Sequence, residues 1–275
     1  FLSPIREIIK DAKLGKLFIL VDDKDRENEG DLVVAASKCN YKKINFMITH
    51  GRGLVCLALT KKKVTQLGLP LMSSVNKSRM QTAFTVSIES KKGITTGISA
   101  FDRARTIKTA INKKTRKRDI VSPGHVFPLV SRNGGVLERA GHTEASVDIV
   151  KIARLNPSAV ICEVMNQDGR MSRTKDLIKF SKKHKIKIGS ISDLIAYRFK
   201  NEKLITNLLN TKLKLKDYDN LDIKTYKNFF NNLKSVVIKR GDFDKNSPAL
   251  VRVLSINFNN KNYLNNHLVK KSLKF

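Results

Sequence analysis

Leu17-Phe18-Ile19-Leu20-Val21, Asp22-Asp23-Lys24-Asp25-Arg26-Glu27-Asn28-Glu29-Gly30-Asp31 and Leu32-Val33-Val34-Ala35-Ala36 follow one another without a break. Two short apolar runs of buried-strand type enclose a loop rich in acids. Like charges crowded so closely raise the free energy unless a cation offsets them. Oxygen donors of this kind suit a hard ion such as Mg²⁺, which uses few carboxylates and keeps several waters. A solvated acidic hairpin turn is the alternative, and the residues alone leave both open.

Working outward, Ser3-Pro4 predicts a helix start that Gly15 stops. A helix over Lys42–His50 ends at Gly51 and Gly53, Leu54–Leu59 reads as a strand, and Thr60 caps a helix closed by Gly68 and Pro70. Ala83–Glu89 alternates with the strand period. Ser99 with Asp102 forms a capping-box start for a helix carrying Phe101, Ile107 and Ile111. Strands follow at Val126–Val130, Ala159–Val164 and Ile186–Ile188, with helices starting near Thr143, at Ser172 and at Ser190-Asp193. Hairpin-like and crossover spacings are mixed. They predict an α+β domain, a layered α/β/α arrangement around a mixed sheet, rather than a regular doubly wound fold. Near Asn201 the composition shifts to Asn and Lys, which divides the chain into residues 1–200 and 201–275. The second part reads as a small module with strands at Val236–Ile238 and Leu250–Leu254.

The 275 residues are 41% hydrophobic, enough for a core, and carry a formal charge of +30 from 54 basic and 24 acidic side chains. Such a surface attracts polyanions and small anionic substrates alike. The densest basic run, Lys113-Lys114-Thr115-Arg116-Lys117-Arg118, offers no aromatic ring for base stacking. A dispersed lysine bias therefore explains the charge better than nucleic-acid binding. Cys39, Cys56 and Cys162 are too scattered for a disulfide framework and contain no C-x-x-C zinc pair. No apolar run approaches the length of a membrane span, so a reduced, soluble, cytoplasmic protein is expected.

Four segments hold groups suited to chemistry, each with a bland counterpart. In Pro123-Gly124-His125-Val126-Phe127-Pro128 a histidine sits in a rigid turn, placed for proton transfer or simply hydrogen-bonded to backbone. Arg139-Ala140-Gly141-His142-Thr143-Glu144 opens a helix whose free N–H groups, arginine and hydroxyl suit a phosphate, while His142 could ligate a metal. The same pattern occurs in ordinary loops. Glu163 interrupts the apolar Val160-Ile161-Cys162-Glu163-Val164, as a proton-transfer group with a raised pKa or as the partner of a nearby arginine. Cys56 reads as a small core residue.

Taken in order, Asp22–Asp31, His50-Gly51-Arg52-Gly53-Leu54-Val55-Cys56-Leu57, Thr95-Thr96-Gly97-Ile98-Ser99, Arg103, Pro123–Pro128, Gly134-Gly135-Val136-Leu137, Arg139–Glu144 and Cys162-Glu163 carry a resemblance. From about Ile5 to Tyr197 the chain resembles the 3,4-dihydroxy-2-butanone 4-phosphate synthase family of riboflavin biosynthesis. The resemblance implies a layered homodimer with active sites at the subunit interface. It also implies conversion of ribulose 5-phosphate into 3,4-dihydroxy-2-butanone 4-phosphate and formate with Mg²⁺, two ions per site, or Mn²⁺ in its place. By that resemblance Glu27 and His142 hold the metal. Arg26, Glu27, Asp31, Arg139, Ala140, Gly141, His142, Thr143 and Glu163 contact the sugar phosphate, and His125 and Glu163 move protons. The alternative, a basic nucleic-acid-binding protein on an inactive synthase scaffold, would have no need of the complete set Glu27, His125, His142 and Glu163.

Residues 213–258 faintly resemble the start of GTP cyclohydrolase II, through Val237-Ile238-Lys239-Arg240-Gly241-Asp242 and Val251-Arg252-Val253-Leu254-Ser255. That family's zinc needs three cysteines. None follows Cys162, and Asn257 stands about where the first belongs. Residues 201–275 are thus expected to be a degenerate, truncated remnant without zinc and without GTP cyclohydrolase II activity.

Overall fold

The computed structural model describes residues 1–215, 218–229, 234–244, 246 and 248–254. They form two compact units, Phe1–Glu202 and Lys203–Phe275.

In the first unit the apolar runs become the middle of a mixed sheet. Its strands are β1 (Phe18–Val21), β2 (Gly30–Ala35), β3 (Cys56–Thr60), β4 (Ile88–Ser90), β5 (Ile120–Ser131), β6 (Ser158–Glu163) and β7 (Ile188–Ser190), in the order β4-β5-β3-β6-β2-β1-β7. The β1/β7 and β3/β5 pairs are parallel and the rest antiparallel. β2 is buried at every position, so both of its faces need cover. The helices are α1 (Ile5–Leu14), α2 (Tyr41–Phe46), α3 (Lys61–Leu67), α4 (Ala100–Ile111), α5 (His142–Ile152), α6 (Thr174–His184) and α7 (Ile191–Asn201). Leu32, Val34, Leu57, Leu59 and Val160 face a core shared with Ile44, Val64, Ile107 and Leu177 from α2, α3, α4 and α6. Val33, Ala35, Ala58, Ala159 and Ile161 face the opposite core with Ile8, Ile149 and Leu194 from α1, α5 and α7. The expected three-layer α+β architecture with a mixed sheet is what forms.

Local chemistry sets the helix starts. Thr60, Ser99 and Ser190 accept the N–H groups of Lys63, Asp102 and Asp193 through their hydroxyls. Some boundaries differ from the expectation. Pro4 is itself the cap of α1, and α6 begins at Thr174 because the Arg173 N–H bonds Asp176. The stretch read as one helix over Lys42–His50 is α2 followed by a π-helical turn, Met47–Gly51, which leaves through Arg52 at φ 70°. Ala83–Glu89 is mostly irregular: Phe84 and Thr85 make isolated bridges to Leu129 and Leu71, and regular pairing starts at Ile88. The last strand lies at Ile188–Ser190 rather than Ile186–Ile188.

In the second unit β8 (Ile205–Leu215), β9 (Tyr218–Asn228) and β10 (Lys234–Arg240) form an antiparallel sheet, order β10-β9-β8. Val236–Ile238 lies in a strand as expected. Leu250–Leu254 does not: its apolar side chains are largely exposed and the backbone is irregular. β8 and most of β9 were hidden by Asn and Lys, which read as loop. Ser255 and Asn257 lie outside the described residues.

α5 is buried from His142 to Val150 although it contains five polar or charged residues in that span, so each needs a partner. Asp148 accepts the Val136 N–H and pairs with Arg198 of α7 at 2.7 Å, and Arg198 also donates to the Gly134 carbonyl. The pair therefore ties α5, α7 and the 134–137 turn together. Asp148→Ala should cost about 3 kcal/mol, since it leaves a buried guanidinium without one of its acids. Urea unfolding measures this, and a loss under ~0.5 kcal/mol would show the turn is held by other contacts.

Candidate active site

β1 delivers the acidic loop to the end of the sheet, and β2 takes the chain back. Asp22 organises the loop. Its side chain is fully buried and accepts the N–H groups of Glu27 and Glu29 and a 2.7 Å bond from Arg26. Arg26 also donates to Glu27. Arg173 fastens the loop from α6 through the carbonyls of Glu27 and Asn28. Of the six acids, Asp22, Glu27, Glu29 and Asp31 are therefore drawn out of solvent, while Asp23 and Asp25 stay exposed at the tip.

His142 opens α5 beneath this loop, 7% exposed, with Nδ1 3.7 Å from Glu27 Oε2. Ligand atoms of Asp22, Glu27 and His142 lie within 4.8 Å of one another. The neighbouring His142 ring, helped by Arg26, outweighs burial and takes the Glu27 carboxyl down to about 2. Burial pulls the His142 imidazole down, but Asp31, Glu27 and Asp22 outweigh it and hold the ring at about 9.

Asp31 and Glu163 stand opposite each other in the β2/β6 ladder, so both side chains point to the α5 side of the sheet. Asp31 is buried. Loss of hydration raises its carboxyl to about 7, with Glu163 and Glu27 adding to the rise and His142 opposing it. Glu163 Oε2 accepts the Leu54 N–H at 2.8 Å. A Cβ on Gly53 would lie 2.5 Å from that oxygen and 2.6 Å from the Glu163 carbonyl, so only glycine lets this loop lie against the carboxylate.

The remaining positions divide. Gly141 and Thr143 are buried at the start of α5 and Ala140 is exposed just before it. Arg139 is already engaged: it pairs with the buried Glu144 at 2.6 Å and donates to the Met80 carbonyl and the Thr82 hydroxyl. In this structure it clamps the 80–82 loop to α5, which differs from a free phosphate anchor. His125 is not with the others. It sits on β5, 44% exposed at its side chain, and bonds Glu89 of β4. The structure thus brings Arg26, Glu27, Asp31, His142 and Glu163 together and leaves His125 elsewhere. Reading the sequence missed Asp22 and Glu89. Asp22 was visible as one acid in the cluster, with nothing to single it out, and Glu89 lay in an alternating run.

The donor set fits a hard divalent cation. Two carboxylates and one imidazole converge, and His142 Nε2 is buried with no hydrogen-bond partner in the described structure. A buried polar nitrogen left unpaired is costly unless a ligand completes it.

The chain matches the family "3,4-dihydroxy-2-butanone 4-phosphate synthase" over residues 6–197. A protein of that name from Photobacterium phosphoreum is 48% identical over 252 residues, 92% of this chain and 69% of the relative. The crystal structure of RibBX, a two-domain synthase of that name from A. baumannii, superimposes with a TM-score of 0.81 at 45% identity, covering 87% of this chain and 70% of that one. A synthase solved in complex with two magnesium ions superimposes at 0.69 and 36% identity, covering 73% and 98%. The chain spans 58% to 69% of the length of such curated relatives. Among the described residues no helix is long and apolar enough to cross a membrane.

An imidazole at about 9 carries its proton at pH 7.5, whereas a ligating nitrogen must be neutral. Mn²⁺ uptake at pH 7.5 should therefore release about one proton. Calorimetry in two buffers of unlike ionisation enthalpy reads this as different heats, and equal heats would remove His142 from the ligand set.

Proposed function

The chain belongs to the 3,4-dihydroxy-2-butanone 4-phosphate synthase family, and on that premise we propose that it is a lyase of riboflavin biosynthesis. It converts ribulose 5-phosphate to 3,4-dihydroxy-2-butanone 4-phosphate and formate. The observation that carries this is the meeting of Asp22, Glu27 and His142 beside the Asp31–Glu163 pair. Glu27 and His142 would hold Mg²⁺, two ions per site, or Mn²⁺, with Asp22 close enough to share in it. A divalent ion held there would stabilise negative charge developing on the sugar.

The chain's own residues do the rest. Glu163, anchored by the Leu54 N–H and facing Asp31, is placed to take and return a proton at a sugar carbon. Asp31, kept near neutral pH in its titration, serves as its proton-sharing neighbour. Arg26, Gly141 and Thr143 orient the substrate at the α5 N-terminus, where backbone N–H groups and the helix dipole favour an anion. Arg139 and Ala140 complete that wall, Arg139 through its clamp on the 80–82 loop. The +30 charge draws the anionic substrate in.

His125 is the second proton carrier. On the sheet it lies three strand spacings from β2, roughly 14 Å at about 4.8 Å each. We therefore favour a homodimer whose interface carries the active site, so that a second copy can bring its His125 toward the metal cluster. Burial raises the Cys39 thiol to about 12 and pushes the Cys56 and Cys162 thiols up as well, which disfavours a thiolate zinc site. Residues 201–275 are read as a GTP cyclohydrolase II-like segment in which no cysteine stands where a zinc ligand is needed. Nucleic-acid binding is not supported.

Formate release from ribulose 5-phosphate should be abolished by EDTA and restored by Mg²⁺. Glu163→Gln should lower turnover at least ~100-fold while leaving the thermal midpoint near wild type. EDTA-resistant formate release, or a fully active Glu163→Gln, would overturn the assignment.

A further inference from the structure

Outside the cluster of Asp22, Glu27 and His142, Glu89 and His125 form another closely built pair. Register along β4 and β5 shows how they meet. Ile88 pairs with Val126, but the next residue, Glu89, pairs with Val121. Residues 122–125 are thus extra chain bulging from β5 opposite a single step of β4. The bulge is pinned at its base, where the Ser122 hydroxyl donates to the Ser87 carbonyl and the Gly124 N–H to the Ser87 hydroxyl. A side chain at Gly124 would strike the Ile88 carbonyl and Glu89 itself. The bulge therefore folds His125 back so that its Nδ1 meets Glu89 Oε1.

A third segment closes over the pair. Gly97, at φ 89°, packs so near that a Cβ would overlap Glu89 Oε1 and lie 2.8 Å from His125 Nδ1. Its loop is held by Asp102 at the start of α4, which accepts the N–H groups of Thr95 and Gly97 and the Thr95 hydroxyl. The carboxylate lies behind, 15% exposed, and the imidazole in front, 44% exposed. A carboxylate bound to one ring nitrogen fixes which nitrogen holds the proton, leaving the other to face outward.

We propose that Glu89 is a positioning residue that fixes the tautomer and orientation of His125, presenting Nε2 as the proton-transfer atom. This rests on the reading of His125 as a proton carrier in ribulose 5-phosphate breakdown. The pair works as carboxylate and histidine do in hydrolytic triads, where the acid orients and the imidazole moves the proton. A merely structural ion pair would not need the imidazole half open to solvent with its carboxylate shielded.

The test uses the full chain with Mg²⁺, comparing Glu89→Gln, His125→Asn and the double variant for formate release, with ¹⁵N NMR of histidine-labelled protein as the structural readout. His125→Asn should lower kcat about 100-fold or more. Glu89→Gln should lower kcat about 10- to 100-fold with KM changed less than about threefold, and should have no further effect in the His125→Asn background. The His125 ¹⁵N resonances should show mainly Nδ1–H in the wild type and a redistributed tautomer ratio in Glu89→Gln. If His125→Asn is fully active, the parent reading fails. If His125→Asn is impaired but Glu89→Gln leaves kcat and the tautomer ratio unchanged, the positioning role fails while the parent reading stands. If Glu89→Gln unfolds, Glu89→Asp supplies the same comparison with the carboxylate withdrawn by one methylene.

Discussion

Two carboxylates facing each other on adjacent central strands, Asp31 and Glu163, impose the constraint that the rest of the site answers. Negative charge in the interior is costly unless opposed. The opposition comes from His142 at the start of α5, with Arg26 compensating the neighbouring loop acids. The demand reaches outward. α5 has to enter beneath the loop with its imidazole first, the loop has to wrap Asp22, and Gly53 has to stay bare so that backbone can serve Glu163. A fold that relaxed any of these would leave unpaired charge inside it. Structure and chemistry share one electrostatic arrangement, and a divalent cation would strengthen it.

The sheet separates two kinds of work. At β1, β2 and β6 the residues are acidic, crowded and buried, suited to holding a cation and steadying developing negative charge. At β4 and β5 one carboxylate and one exposed imidazole are suited to moving a proton. The β5 bulge is a local departure from regular pairing that turns His125 toward Glu89, and the Thr95–Gly97 loop closes over the pair.

Much of the first unit was legible because its signals are local. Unbroken apolar runs marked β1 and β2, and hydroxyl caps marked α3, α4 and α7. The meeting of Glu27 with His142 and Glu163 was legible only through resemblance, since no spacing rule links Glu27 to residues more than a hundred positions away. Glu89 escaped for a different reason: an acid in an alternating run looks like a solvent-facing strand position, and its role appears only once the bulge brings in His125. Arg139 read as free for a phosphate because the sequence does not show that Glu144 and the Met80 carbonyl occupy it. In the second unit the errors ran both ways. Asn and Lys concealed two long strands, where backbone pairing prevailed over side-chain propensity, and the apolar Leu250–Leu254 formed none.

An imidazole and carboxylates remote in sequence share a divalent-cation site on this account. Electron spin-echo spectroscopy of the Mn²⁺-loaded protein addresses this most directly, because it detects a nitrogen nucleus bound to the ion. The account predicts ¹⁴N modulation from a single imidazole that disappears in His142→Gln. Mn²⁺ bound at this site with no nitrogen coupling, or with coupling that survives His142→Gln, would contradict it.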